Sequence, residues 1–247
     1  MSDKDYIKEF VKIFESELCY RHGLSKRSAW SDLMLMFACD ISNITEVRSD
    51  VKKERLAAFK ECADRLGGVE IPIRLLAITM EALSNNPSQD FLGNLYMTLS
   101  MGEEGWGQFF TPYHVSHLMA ELSLNDIDKD LNGKEYTTIA DSCVGAGAML
   151  IAAADVIREK GVDVSTGALF FGQDLDQTAA NMAYIQLSLI GCAALIVEGN
   201  TLTEPYTGNP LFVDENSRFW YTPALFMSEW NKRRIEELKA LKRENIA

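Results

Sequence analysis

The 247-residue chain lacks the marks of several protein classes. No apolar run approaches the ~18 residues of a membrane span, and the amino-terminal MSDKDYIKEF is charged where a secretory signal is apolar. The five cysteines, at positions 19, 39, 62, 143 and 192, are odd in number and form no C-x-x-C pair. That spacing excludes a disulfide framework and a thiolate metal site, and it fits a reduced, cytoplasmic setting. Positive charge is also scarce. Lys and Arg number 24 against 36 Asp and Glu, a net charge of −12. Unaided DNA binding needs cations that neutralise phosphates and release counterions, so tight binding by this chain alone is not expected. His114 and His117 stand three apart, but no H-E-x-x-H accompanies them and the sequence offers no third ligand, so no metal is expected.

What the chain does have is ordinary globular composition, 47% hydrophobic and 24% charged, with enough length for one large or two modest domains. Its organising stretch runs from 136 to 202. Residues 137–140 are β-branched and apolar and stop at Asp141 and the turn Gly145-Ala146-Gly147; residues 148–159 then carry Leu150, Ile151, Ala154 and Ile157 at helical spacing. A second unit places a strand at 168–171, Gln173-Asp174 at its carboxyl end and a helix at 177–190. A third strand at 194–197 ends in Gly199-Asn200-Thr201. Strands alternating with crossover helices predict a parallel sheet, with ligands at the carboxyl ends of its strands. Glycines 145 and 147 let a ligand approach the backbone. Asp174 stands where a carboxylate can bridge two ribose hydroxyls, and Asp141 can meet a ligand's ammonium group. A carboxylate for an amine and another for a ribose suit S-adenosylmethionine better than a dinucleotide. Cys143, within the glycine-rich turn, is expected to pack as a small residue.

Upstream lies GWGQFFTPYHVSHLMAEL, residues 105–122. With it the chain resembles the adenine-N6 DNA methyltransferases, specifically the modification subunit of type I restriction–modification systems. The resemblance covers roughly 90–202. It rests on Asp90-Phe91-Leu92-Gly93-Asn94-Leu95-Tyr96, Gly107-Gln108-Phe109-Phe110-Thr111-Pro112, the 141–147 segment, Gly172-Gln173-Asp174 and Gly199-Asn200-Thr201-Leu202, in family order. It implies that Phe110, Thr111 and Pro112 line the S-adenosylmethionine cleft with Asp141, Gly145, Gly147 and Asp174, and that Asn200 lies near the adenine. It also implies DNA as substrate and a separate basic specificity subunit as the partner that supplies the missing cations.

The fold expected is α/β: a truncated doubly wound, Rossmann-like methyltransferase sheet at 102–247, preceded by an all-helical domain at 1–101. In the amino-terminal part, apolar stripes predict helices at 6–18, from Ser25 or Ser28 through Ala38, at 46–66, 73–83 and 89–101, with Met34, Met36 and Phe37 in the core. The 102–107 segment is expected to bend. Thr111-Pro112 then opens a helix at 113–122 whose packing face is Val115, Leu118, Met119 and Leu122.

The carboxyl-terminal part departs from the family. Amino-methyltransferases carry a (D/N/S)-P-P-(F/Y) loop after a fourth strand; its first residue accepts from the adenine amine and its aromatic residue stacks on the flipped base. Here Asn209-Pro210-Leu211-Phe212 is the nearest match, with Leu211 in place of the second proline. By the resemblance Asn209, Pro210 and Phe212 are the catalytic candidates. Residues 204–208 are polar and proline-broken, unsuited to the strand that aims such a loop. A late strand is possible at 219–227, though Pro223 argues against a central one, and a charged helix is expected at 228–245. With three or four strands the sheet keeps an uncovered edge and face, which predicts a homodimer or a partner chain. Two main functions follow: an adenine methyltransferase, alone or completed by another chain, or a non-catalytic relative that acts by binding, as a decoy or assembly protein; a small-molecule methyltransferase is the weaker third.

Overall fold

The computed structural model describes residues 2–99, 110–124 and 135–244. The expected bend at 102–107 and Phe109 lie outside these residues. Three apolar runs form parallel strands: β1 (Thr137–Asp141), β2 (Ala168–Asp174) and β3 (Ala193–Glu198). Ile139 pairs with Phe170, and Phe170 with Ala194. Between them run α7 (Ala148–Glu159) and α8 (Gln177–Leu189). The sheet order is β1-β2-β3-β4, so both crossovers step the same way and place α7 and α8 on one face. Ala-rich α7 and α8 pack there against Phe170, Ala194 and Ile196.

The fourth strand, β4 (Phe219–Tyr221), is short and antiparallel to β3. Pro223 ends it by opening a 3₁₀ turn, Pro223–Phe226, as expected of a residue with no N–H for a ladder. Thr222 substitutes for further pairing: its Oγ1 accepts from the Ala194 N–H at 2.8 Å and donates to the Cys192 carbonyl at 2.7 Å. The second face of the sheet is covered by the carboxyl-terminal segment, where Leu211, Leu225 and Trp230 pack on Leu169, Leu195 and Val197. The last helix, α9 (Ser228–Glu244), is anchored only by its first turns: Trp230 and Arg233 are buried, and 235–243 are exposed.

Before the sheet come α1 (Asp3–Ile13), continued by a π-helical stretch Phe14–Tyr20, α2 (Lys26–Asn43), α3 (Ser49–Arg65), α4 (Glu70–Asn85) and α5 (Phe91–Thr98). Ser25 caps α2, accepting from the Ser28 N–H at 3.1 Å. Gly67 and Gly68, at φ +78° and +121°, turn the chain from α3 into α4, and the Gly68 N–H closes back on the Ala63 carbonyl. Helix α4 begins at Glu70 and not at 73 as the apolar stripe predicted, so it contains Pro72. The proline sits in the first turn of α4, where its missing N–H costs nothing. Phe10, Phe14, Trp30, Met34, Phe37 and Phe91 are buried in an apolar cluster that continues without a break into α7, α8 and Trp220.

A buried ionic group adds to that contact. Glu46 accepts from Arg48 and Arg55 at 2.7 and 2.6 Å. The two guanidinium groups then donate to the carbonyls of Asp214, Asn216, Ser217 and Phe219. Arg55 also lies 3.8 Å over the Trp220 ring. Three buried charges, Glu46 and Arg48 in the turn between α2 and α3 and Arg55 on α3, thus fasten the segment that leads into β4.

One expectation reverses. Helix α6 (Tyr113–Ser123) does not bury Val115, Leu118, Met119 and Leu122, all of which are exposed. The small Ser116 and Ala120 are buried instead, which lets α6 approach α7 closely, with Leu124 packed against the same core.

Candidate cofactor site

The carboxyl ends of β1 and β2 build the site. Asp141 ends β1, and its Oδ1 accepts from the Cys143 N–H at 3.0 Å, starting the turn. Gly145 and Gly147 adopt φ +55° and +98°, which side-chain-bearing residues rarely hold. A Cβ on Gly145 would stand 3.1 Å from the Phe110 ring, and one on Gly147 3.3 Å from Ala183. Gly145 therefore lies under Phe110 at the cleft, and Gly147 settles the start of α7 against α8. Asp174 ends β2. Its Oδ2 accepts from the Gly145 N–H at 2.8 Å and its Oδ1 from the Asp176 N–H at 2.9 Å. Burial pushes its carboxyl above the usual range, the two backbone donors oppose that, and the charges of Asp176 and Asp141 add to it.

These residues bound a cleft of about 200 Å³ lined by Phe110, Thr111, Asp141, Gly145, Met149 and Asp174, among others. It shares Thr111, Asp141, Cys143 and Met149 with a groove of about 420 Å³ that runs between α6 and β1. Cys143 is exposed at the junction rather than packed away, because the turn carries its side chain outward. Pro112 starts α6 and leaves Thr111 as the lining residue. The turn after β3 joins the same edge: the Gly199 N–H reaches the Asp174 carbonyl, and Thr201 Oγ1 donates to the Ser142 carbonyl at 2.6 Å. Asn200 does not line the cleft; its Oδ1 accepts from the Leu202 and Thr203 N–H groups.

Behind the cleft is a support that the sequence reading left without a role. Asp90 caps α5, and its Oδ1 accepts from the Gly93 N–H at 2.9 Å and from Gln186 Nε2 at 2.8 Å. Gln186 also donates to the Ala146 carbonyl at 2.8 Å and accepts from the Leu92 N–H at 3.0 Å. One buried amide thereby ties α5 and α8 to the glycine-rich turn. A Cβ on Gly93 would fall 2.0 Å from the Asp90 carboxylate, which accounts for the D-x-x-G spacing. Burial holds the Asp90 carboxyl above the usual range. The spacing of an acid three residues before a glycine was the available signal; its partner, 96 residues away, was not.

Residues 88–245 match the family model described as N-6 DNA Methylase. The chain belongs to the N-6 DNA methylase family. Among solved structures, it is similar to the crystal structure of the type I restriction-modification system methyltransferase subunit from Streptococcus thermophilus, at 17% identity and a TM-score of 0.44, over 85% of this chain and 62% of that one. It therefore spans less than two thirds of that subunit's length.

The candidate target loop lies apart from the Asp174 cleft. Asn209 and Phe212 line a different cleft, of about 420 Å³, with Gln173, Tyr206 and Arg218; it shares no lining residue with the Asp174 cleft. Successive strand residues point to opposite faces, so Gln173 and Asp174 serve opposite sides of the sheet. Gln173 grips the strap formed by residues 204–213 there, donating to the Glu204 carbonyl at 2.9 Å and accepting from the Tyr206 N–H at 3.2 Å. Tyr206 stacks on Phe171 with centroids 5.1 Å apart. Asn209 Oδ1 accepts from the Leu211 N–H at 3.0 Å. A second proline would have no N–H to offer. The leucine at that position therefore both engages the acceptor of Asn209 and, being buried, anchors the loop on the second face. Pro210 is half-buried beside it.

The fold also surrounds His117 with acids. Its Nε2 lies 3.4 Å from Asp155 and 3.8 Å from Glu159, and its Nδ1 3.9 Å from Glu121. His117, Glu121 and Glu159 offer ligand atoms within 4.8 Å of one another. Sequence spacing alone gave His117 no third ligand; the packing of α6 on α7 supplies the acids. Arg158 also pairs with Asp155, so polar contacts of Asp155 with side chains of both helices join α6 to α7.

Proposed function

We propose that the chain binds S-adenosylmethionine in the cleft between β1 and β2 and serves the adenine-N6 methylation of DNA, with a basic specificity-type partner supplying the grip on DNA. The observation that carries this reading is the Asp174 carboxylate. It is fixed by two backbone N–H groups beside the Gly145 turn, and each oxygen retains acceptor capacity for a ribose hydroxyl. Asp141 spends one oxygen on its own turn and offers the other to the cofactor's ammonium group. Gly145 admits the ligand to the backbone, Phe110 and Thr111 wall the cleft, Pro112 and Gly147 set the helices that carry them, and the Asn200 amide N–H₂ stands on the same sheet edge as a donor for the adenine. The bound cofactor supplies an electrophilic methyl group. The chain's own part is to hold that group at the carboxyl edge of the sheet, out of bulk water.

In this reading Asn209, Pro210 and Phe212 are the target-base candidates, and their separation from the cofactor cleft favours a second role. Unless the 209–212 loop is repositioned by a partner, the chain acts as a binding member of its assembly and not as the catalyst. Calorimetry separates the cofactor site from the catalytic question. The intact chain should release heat on titration with S-adenosylmethionine or its demethylated product. Asp174→Ala, which removes a charged acceptor, should weaken binding by about ten- to a hundred-fold. Absence of heat with both ligands at millimolar concentration would overturn the proposal.

A further inference from the structure

We infer that Gln186 is a positioning residue for the cofactor: it never touches the ligand, but it holds the glycine-rich turn in the shape that the ligand meets, and so sets the affinity. The inference rests on the S-adenosylmethionine reading above. Gln186 lies on α8 and is fully buried. It is not among the residues that line the Asp174 cleft, whereas Val144, Gly145 and Ala146 are. Its action on a ligand passes through the turn.

The turn has little rigidity of its own. Gly145 and Gly147, both at positive φ, flank Ala146, and glycine loses the most backbone freedom on ordering. Anchors on neighbouring elements fix the turn. The Val144 N–H donates to the Gln173 carbonyl at 3.0 Å and the Gly145 N–H to Asp174 at 2.8 Å, which ties the first half to β2. The second half centres on one peptide group, between Ala146 and Gly147. Its N–H donates to the Val144 carbonyl at 2.8 Å, within the turn itself. Its carbonyl accepts from Gln186 Nε2 at 2.8 Å, and that bond is the anchor outside the turn.

The amide of Gln186 is in turn held one way round. Asp90 Oδ1 accepts from Nε2 at 2.8 Å, and the Leu92 N–H donates to Oε1 at 3.0 Å. A flipped amide would set its oxygen against two acceptors and its nitrogen against a donor. An apolar side chain would fill this position without the cost of burying an amide, as Ile185 and Leu187 do beside it. What the amide adds is a fixed geometry. A turn ordered in advance loses less entropy when a ligand arrives.

Amide exchange and calorimetry on the full chain test this. Gln186→Met conserves volume and removes both donors. Gln186→Asn keeps an amide one methylene short of Ala146, so either variant serves if the other fails to fold. Leu187→Ala is the control: it loosens the core from the next position of α8. In the ligand-free protein the Gln186 variants should speed exchange of the Gly145 N–H about tenfold. They should also weaken S-adenosylmethionine binding about tenfold, while the control stays within about threefold of the parent in both. Unchanged exchange and affinity in the Gln186 variants, or equal changes in the control, would overturn the inference. A parent that releases no heat would sink the cofactor reading and this inference with it. Parent heat that the Gln186 variants leave unchanged would sink the inference alone.

Discussion

Asp174 and Cys143 show how one turn assigns different duties to neighbouring residues. The carboxylate is half-buried and already held by two N–H groups, so it is positioned before any ligand arrives and loses little entropy on binding. Cys143 lines the same cleft yet stays exposed. The other four cysteines are buried, and burial pushes their thiols up, to about 11 for Cys19 and Cys62 and about 12 for Cys39 and Cys192. Thiolate is the reactive form, and access is needed as well, so a maleimide should label the native protein at Cys143 alone. Mass spectrometry should find one adduct among five cysteines, and S-adenosylmethionine should slow its formation. Equal labelling rates with and without the cofactor would place the ligand elsewhere.

At the scale of elements, the strands and crossover helices were legible because apolar runs, glycine turns and helical spacing all point the same way within about thirty residues. Asp141, Gly145 and Asp174 meet as their positions after β1 and β2 suggested. What was not legible depends on long-range packing. Periodicity identified a stripe on α6 but not the surface that would cover it, and the small residues Ser116 and Ala120 won the contact with α7. No local pattern announces that Arg48 and Arg55 reach carbonyls more than 160 residues away. Their shared acceptor, Glu46, makes that contact testable. Burial alone would push its carboxyl up, but hydrogen bonds from Arg48 and the charges of Arg48 and Arg55 hold it below its ordinary 4.5. The stabilisation is therefore fully present above pH 4.5 and is lost as pH falls through the folded-state value. Glu46→Ala leaves two buried guanidinium groups without their carboxylate and should cost about 3–5 kcal/mol at pH 7. Urea unfolding should show that difference, and it should shrink towards pH 3. A difference independent of pH would mean that packing, not charge, accounts for the loss.

At the scale of the whole molecule, charge and topology bear on the same question. The net charge of −12 opposes association with phosphates, and screening by salt does not turn repulsion into grip. The six basic residues of 229–244 are interleaved with four acids, so α9 forms no concentrated cationic face. Topology adds a second obstacle. Adenine transfer needs the base's amine beside the cofactor's methyl group, whereas Asn209 and Phe212 line a cleft that shares no residue with the Asp174 site. Asn209 Oδ1 also accepts from the Leu211 N–H, which turns the amide towards its own loop. A misplacement of even ~1 Å in such a loop costs about a hundred-fold in rate, and here the loop lines a separate cleft. The isolated chain is therefore expected to transfer no labelled methyl group to mixed-sequence DNA, even where calorimetry finds the cofactor bound. Adding the proteins encoded beside it should restore transfer if a basic partner both docks the DNA and re-aims the loop, and Asn209→Ala should then abolish it. Transfer that survives Asn209→Ala would instead assign the base-binding residues to the partner. Robust transfer by the chain alone would show that the strap carrying residues 204–213 leaves the second face in solution.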